Sequence, residues 1–231
     1  MSAPDVGVII VAGGSGSRTS SKELKQFRWV YGKPMLLHSV QAFQARPGVA
    51  MVVCVLPKAY VGDPPPWLFQ SDIERLLLSV GGRERQESVY NGLGDLPPDV
   101  EIVVVHDAAR PLASPALFAA VVAAVTGGGA DGAVPGVPPS DTIKAVDESG
   151  RVTDTFDRAR LVAVQTPQAF RAALLRHAHA AVSTGGATDD AMLVEALGGT
   201  VLVVPGEPAN LKITDPGDLG TAERLLAQRE A

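Results

Sequence analysis

Six short aliphatic runs recur along the chain: Val6 to Val11, Val49 to Val55, Leu76 to Val80, Ile102 to Val105, Ala133 to Val137 and Val201 to Val204. They are continuous rather than alternating, which is the pattern of strands covered on both faces; a strand with one wet face alternates. Between them the spacing predicts helices at Pro34 to Ala45, Glu87 to Leu96, Pro115 to Val125, Arg171 to Val182 and Asp189 to Leu197, with a last helix from Pro216 to about Gln228. Strands alternating with helices in this way give an α/β fold, a mainly parallel sheet with helices on both faces. Helix starts are marked. Ser114-Pro115 and Asp215-Pro216 each place a capping side chain before a proline suited to the first turn, and Thr188-Asp189-Asp190 offers a cap with acids for the helix dipole.

A chain of 231 residues, 46% hydrophobic and 19% charged, buries a sizeable core as one large domain or two small ones, without needing disulfides or a metal to fold. The net charge of -5 argues against nonspecific nucleic-acid binding, so any phosphate site is local. Arg18, Lys22, Lys25, Arg28 and Lys33 fall within sixteen positions with Glu23 the only acid among them; on charge alone this reads as a solvated basic face. The single Cys54 lies in an apolar run, where it forms no internal disulfide and belongs in a buried strand, which points to a cytoplasmic location. The first apolar stretch meets a glycine turn by Gly13, too early for a signal peptide or a membrane span, so no membrane partner is expected.

One segment departs from the α/β rhythm. Asp141 to Val146, the turn Asp147-Glu148-Ser149-Gly150, and Arg151 to Phe156 read as strand, turn, strand. A lone hairpin with few apolar side chains is marginal in water, so it needs a surface to lie against. Either the body of its own domain or a second subunit would serve.

The segment Val11-Ala12-Gly13-Gly14-Ser15-Gly16-Ser17-Arg18 follows the first strand directly, at the carboxyl edge where open α/β sheets bind ligands. Glycines let backbone N–H groups approach anionic oxygens without obstruction by Cβ, so the segment reads as a phosphate loop; from the glycines alone an empty strand-to-helix turn remains open. It is not a P-loop, since no Lys-Ser or Lys-Thr follows a properly spaced glycine. Gly14 and Gly16 match the dinucleotide fingerprint, but Thr19 stands where its third glycine belongs, which disfavours an NAD-dependent oxidoreductase. Arg18 and Lys25 are within reach of a polyphosphate, whose transfer spreads negative charge that positioned cations must meet.

Further segments follow in order: Gly81-Gly82-Arg83-Glu84-Arg85-Gln86-Glu87-Ser88-Val89, Val105-His106-Asp107-Ala108-Ala109-Arg110-Pro111, Asp141-Thr142-Ile143-Lys144, Gln165-Thr166-Pro167-Gln168, Thr188-Asp189-Asp190 and Asn210-Leu211-Lys212-Ile213-Thr214. With the glycine loop and Lys25-Gln26, this ordered set resembles the 2-C-methyl-D-erythritol 4-phosphate cytidylyltransferases of the non-mevalonate isoprenoid pathway, over nearly the whole chain. The resemblance implies a single Rossmann-like nucleotidyltransferase domain over residues 1–231, with residues 138–158 as a projecting β-arm through which two subunits interlock. It implies transfer from CTP to the polyol phosphate, with Mg²⁺ and release of pyrophosphate. By matching position, Arg18 and Lys25 resemble the transition-state stabilisers, and Arg158 and Lys212 the residues that position the acceptor phosphate. Ala12, Gly13, Gly14, Gly16, Gly82, Ser88 and Ala108 resemble the CTP pocket. Asp107, Thr142 and Thr188 match acceptor-site positions, Asp107 also lying near the metal, directly or through water; Thr142 and Arg158 would enter from the partner's arm. The chain departs from the family pattern at Val11 and Leu24, where proline is usual, and at Arg83, where an acid is usual.

The resemblance also fixes the chemistry expected. A phosphate monoester is already mostly dianionic at neutral pH, its second pKa being about 6, so no protein base is needed to make the nucleophile. His38, His177 and His179 fall in helical patterns and read as surface or core residues, and His106 is expected to point to the opposite side of its strand from Asp107. Taken without the resemblance, Asp107 is either a ligand or a strand-end turn residue, and Thr188 a helix cap. The rival readings are a ribitol 5-phosphate cytidylyltransferase, whose motifs overlap heavily, and a noncatalytic nucleotide-binding regulator, against which the retained Arg18, Lys25, Arg158 and Lys212 speak.

Overall fold

A computed structural model describes residues 5–14, 24–181 and 187–230. Among them the strands are β1 (Val6–Val11), β2 (Trp29–Val30), β3 (Lys33–Pro34), β4 (Val49–Leu56), β5 (Leu76–Val80), β6 (Ile102–Asp107), β7 (Gly132–Val137), β8 (Lys144–Val146), β9 (Val152–Thr155), β10 (Ala163–Val164), β11 (Gln168–Arg171) and β12 (Val201–Pro205). The α-helices are α1 (Met35–Gln44), α2 (Lys58–Gly62), α3 (Arg85–Asp95), α4 (Pro115–Gly127), α5 (Ala172–Ala181), α6 (Asp190–Ala196) and α7 (Pro216–Glu230). Each of the six aliphatic runs is a strand, and each expected helix is present with its ends moved by a few residues.

The main sheet has the order β10-β7-β11-β6-β1-β4-β5, with β12 also paired to β7. β5, β4, β1 and β6 are mutually parallel, and β12 runs parallel to β7. Between β6 and β7 lies β11, antiparallel to both. The sequence reading did not anticipate this strand, because its four residues Gln168-Ala169-Phe170-Arg171 hold only two apolar side chains and make no run. Those two, Ala169 and Phe170, are fully buried.

Alternate residues of the central strand feed two cores, as the pleat requires. Val8 and Ile10 pack with Leu36, Val40 and Phe43 of α1 and Phe118 and Val121 of α4. Ile9 packs on the opposite face with Val89 and Leu93 of α3, Leu175 of α5 and Leu193 of α6. Cys54 is buried in β4, and burial pushes its thiol pKa up. A third cluster, Val30, Met35, Leu112, Ile213 and Ala222, holds α7 against the β2–β3 hairpin and against the loop that carries Lys212.

The caps refine the sequence reading. Ser114 Oγ accepts from the Leu117 N–H at 3.0 Å. α6 is capped by Asp189, whose Oδ1 accepts from the Met192 N–H at 3.1 Å, rather than by Thr188, whose Oγ1 lies 3.2 Å from Met192 Sδ. At α7 the carboxylate that reaches backbone N–H groups is Asp218, inside the first turn, which accepts from Thr214 at 2.6 Å and Asp215 at 2.8 Å.

Among the described residues β8 and β9 pair with each other alone, forming a separate two-stranded arm shorter than the sequence suggested. Its turn is set by Asp147, whose Oδ1 accepts from the N–H groups of Ser149 and Arg151, and by Gly150 at φ +82°. Ile143, Val146, Val152 and Phe156 are exposed on the arm and its flanks.

Candidate active site

The carboxyl ends of β1, β4 and β6 meet at one edge. The Ala12 N–H donates to the Val55 carbonyl at 2.9 Å and the Ala108 N–H to the Val11 carbonyl at 3.1 Å, so the glycine loop and the Asp107-Ala108 turn leave the sheet side by side. A third loop comes as close: a Cβ on Gly13 would lie 3.3 Å from Gly81 Cα, and one on Gly81 would lie 3.1 Å from Gly13 Cα. These glycines allow two backbones to touch. Gln26, almost fully buried, donates from Nε2 to the carbonyls of Ala12 and Gly14 and so clamps the described part of the glycine loop.

The start of α3 orders the second glycine segment. Ser88 Oγ accepts from the Gly82 N–H at 3.1 Å and donates to the Glu84 carbonyl at 3.0 Å, while Glu87 Oε2 accepts from the Arg83 N–H at 2.6 Å. The Gly82 N–H is therefore engaged within the protein, and what Gly82 offers a ligand is its carbonyl and its lack of a side chain. A Cβ there would collide with Glu87.

Lys25 opens a short 3-10 turn, Lys25–Phe27, anchored by the buried ring of Phe27 edge-on to Tyr60 and Trp67 at 4.8 and 5.4 Å. Leu24 sits at φ -63°, the angle a proline would impose, and its side chain packs against the core, so the backbone before Lys25 is held without the ring. Burial and then the ammonium of Lys212 lower the pKa of Lys25, opposed by Asp218 and Asp215.

Asp107, the last residue of β6, lies between two cations. Its Oδ1 is 3.3 Å from Arg85 Nε and its Oδ2 is 2.8 Å from Lys212 Nζ. Burial alone would raise its pKa, but Arg85 and Lys212 outweigh that and hold the carboxyl well below the usual carboxylate range. His106 points the other way, as expected from the pleat: fully buried against Phe43, it donates from Nε2 to the Arg110 carbonyl at 3.0 Å and accepts at Nδ1 from Thr166 Oγ1 at 3.1 Å. Thr166 Oγ1 in turn accepts from the Asp107 N–H at 3.0 Å. Buried Asn210 donates to the Thr166 carbonyl at 2.8 Å, and the Ile213 N–H to the Ala109 carbonyl at 2.8 Å. The loops bearing Asp107, Thr166 and Lys212 are thus one bonded unit.

A cavity of about 580 Å³ is lined by Ala12, Gly13, Gly14, Lys25, Gly82, Arg83, Glu84, Arg85, Ser88, Asp107, Ala108 and Lys212. A second, of about 200 Å³, is lined by Arg110, Thr166, Gln168, Thr188 and Asp189 and shares Arg85, Asp107 and Lys212 with the first. The residues assigned to the nucleotide, as far as they are described, line the larger cavity, and Thr188 lines the smaller. Thr142 and Arg158 line neither; both are exposed, with Arg158 donating to the Ser140 carbonyl at 2.7 Å. Gly16 and Arg18 lie outside the described residues. Arg83, where the family pattern usually has an acid, is exposed at the rim beside Glu84.

The sequence matches the family model described as 2-C-methyl-D-erythritol 4-phosphate cytidylyltransferase over residues 6–228. A relative of that name from Streptomyces coelicolor is 45% identical, the alignment covering 96% of this chain and 84% of the relative. The chain belongs to the 2-C-methyl-D-erythritol 4-phosphate cytidylyltransferase family. Another relative of that name, from Pelotomaculum thermopropionicum, is 42% identical over 97% of this chain and 95% of its own. Two solved structures are similar. The 4-diphosphocytidyl-2C-methyl-D-erythritol synthase of Anaerococcus prevotii gives a TM-score of 0.84 at 27% identity, covering 97% of this chain and 99% of that one. The cytidylyltransferase of Thermus thermophilus gives 0.77 at 36% identity, covering 96% and 99%. Membership makes the chain an enzyme, a nucleotidyltransferase with the α/β fold of that family.

Reading the sequence missed Arg85, Asp190 and Gln26 as parts of the site. Arg85 carried a signal: it is the first residue of α3, where the helix dipole disfavours a cation unless acids surround it.

Proposed function

We propose that the protein transfers the cytidylyl group of CTP to 2-C-methyl-D-erythritol 4-phosphate, giving 4-diphosphocytidyl-2-C-methyl-D-erythritol and pyrophosphate in isoprenoid precursor synthesis. The observation that carries the reading is the junction of the two cavities at Arg85, Asp107 and Lys212: a glycine-rich chamber sized for a nucleotide shares these three residues with a smaller polar one. CTP occupies the first, with its base near Gly82 and Ser88 and its phosphates toward the glycine loop and Lys25. The acceptor occupies the second, its hydroxyls toward Asp107 and Thr188 and its phosphate toward Lys212. An oxygen of the acceptor phosphate attacks the α-phosphorus. The new P–O bond forms as the bond from that phosphorus to the bridging oxygen breaks, and pyrophosphate leaves with the electron pair. No side chain need take a proton, because the nucleophile is already ionised. Lys25, together with Arg18, meets the charge that develops on the transferring group.

Mg²⁺ fits this donor set as an ion held mostly by the triphosphate. Among the described residues no three His, Cys, Asp or Glu side chains form a metal cluster, and Mg²⁺ is commonly bound by one or two carboxylates plus substrate phosphates. Asp107 would hold it, directly or through water, and the ion would supply neutralisation of the triphosphate. The exposed arm supports a homodimer in which Thr142 and Arg158 enter the partner's acceptor cavity. Buried Cys54 suits a reducing, cytoplasmic setting, and among the described residues no helix is long and apolar enough to cross a membrane.

The test is pyrophosphate release from each of the four NTPs with Mg²⁺, against methylerythritol phosphate and ribitol 5-phosphate. Release with CTP and methylerythritol phosphate is expected. Release with ribitol phosphate alone would transfer the assignment to the other polyol, and no release with any pair would sink it.

A further inference from the structure

Behind the pair Asp107–Lys212 stands a chain of charges with no assigned role. Arg85 Nε meets Asp107 Oδ1 at 3.3 Å, while its Nη1 donates to Asp190 Oδ2 at 2.6 Å. The other oxygen of Asp190 is 3.0 Å from Nε2 of His179. Asp190 and His179 have almost no solvent exposure, and Arg85 keeps a quarter of its side-chain surface, on the side that faces both cavities. One guanidinium thus spans carboxylates from β6 and α6, and α5 supplies the residue that fixes the second carboxylate.

A contact that only joined the helices would need no charges. Three ionisable groups are taken from water, and the cation sits on the first residue of α3, the helix end that repels it. An apolar contact between α3 and α6 would join the helices without that penalty. The result of the ionic arrangement is geometric. The Asp107 side chain has two rotatable bonds, and with one oxygen held by Arg85 and the other by Lys212 its carboxylate plane is fixed at the junction of the cavities. Only a planar fork reaches two carboxylates in different directions; a lysine ammonium offers no such paired geometry.

We infer that Arg85 is a positioning residue for the transfer reaction: braced by Asp190 and His179, it holds the Asp107 carboxylate in the orientation that receives the acceptor polyol. The inference rests on the proposed reading in which Asp107 faces the acceptor. It assigns no contact between Arg85 and the reacting phosphorus, so its larger effect falls on acceptor use, and binding of the nucleotide without metal is spared.

Steady-state kinetics of R85K and D190N against the wild type, each with both substrates varied, test it. R85K retains the charge and loses the fork; D190N retains shape and loses the brace. In both, kcat/KM for the acceptor is expected to fall by about 10- to 100-fold, the scale of a misplaced positioning group. CTP binding measured by calorimetry without Mg²⁺ should stay near wild type and the KM for CTP should change less than the acceptor parameters, with the larger acceptor loss in R85K. Acceptor parameters equal to wild type in both folded variants would overturn the inference, as would a loss confined to CTP. If R85K does not fold, D190N decides; if neither folds, the bridge belongs to the framework and the inference fails. Wild-type enzyme without pyrophosphate release would instead overturn the functional reading itself.

Discussion

Lys25 meets two conditions required of a cation that acts in the transition state. Its backbone is fixed, by the buried Phe27 on one side and by Leu24 at a proline-like φ on the other. Its ammonium is partly withdrawn from water and is repelled by that of Lys212, and together these lower its pKa, with Asp218 and Asp215 opposing. In the proposed site an arriving triphosphate would relieve that repulsion, and charge growing on the transferring group would strengthen the contact further. The K25A variant should therefore lose turnover by about 10²- to 10³-fold, the usual effect of removing one preorganised donor, with the KM for CTP changing far less. Initial rates at saturating and limiting CTP separate the two. A rise in KM with intact turnover would reduce Lys25 to a binding residue.

At the scale of elements, β6 carries the boundary between framework and chemistry in two consecutive residues. His106 is sealed on the inner side, where burial depresses its pKa from the ordinary 6.5 to about 4. Between those values the unfolded chain takes up a proton at this position and the folded chain does not. Stability contributed by the neutral ring is complete above pH 6.5 and is lost as pH falls toward 4, by roughly 3 kcal/mol. Urea denaturation across that range should show the decline, and H106Q should flatten it; an unchanged slope in the variant would remove His106 as the cause. The alternation that turns His106 inward and Asp107 toward the cavities was legible in the sequence, as were all the long strands and helices, because each has its own period. β11 was not, since its pairing between β6 and β7 is decided by neighbours distant in the chain. Arg85 and Asp190 were hidden for the same reason: they are 105 positions apart, and their bond exists only once α3 and α6 share a face of the sheet. Lys212 was recognisable only through its flanking motif; the structure supplies the physical basis, with buried Asn210 and Ile213 on either side holding the loop against Thr166 and Ala109.

For the whole molecule, a single chain holds the glycine loop, Lys25, Asp107, Thr188 and Lys212 around its cavities, while Thr142 and Arg158 stand apart from them near an exposed arm. If the arm serves a partner, K25A and R158A damage different components of any one site. Mixing the two inactive variants should then restore activity, since each mixed dimer contains one site with both residues intact; random exchange predicts about a quarter of the wild-type rate. No recovery after demonstrated subunit exchange would place Arg158 in its own chain's site, and an R158A variant as active as wild type would place it outside the chemistry. The reaction forms a P–O bond that joins two phosphorus atoms, supplied by different substrates, through a bridging oxygen. ³¹P NMR of the enzyme with CTP, methylerythritol phosphate and Mg²⁺ reads that bond directly. The account predicts loss of the monoester signal, a pair of mutually coupled diphosphate resonances and an equal amount of pyrophosphate; CMP and pyrophosphate accumulating beside an untouched monoester would contradict it.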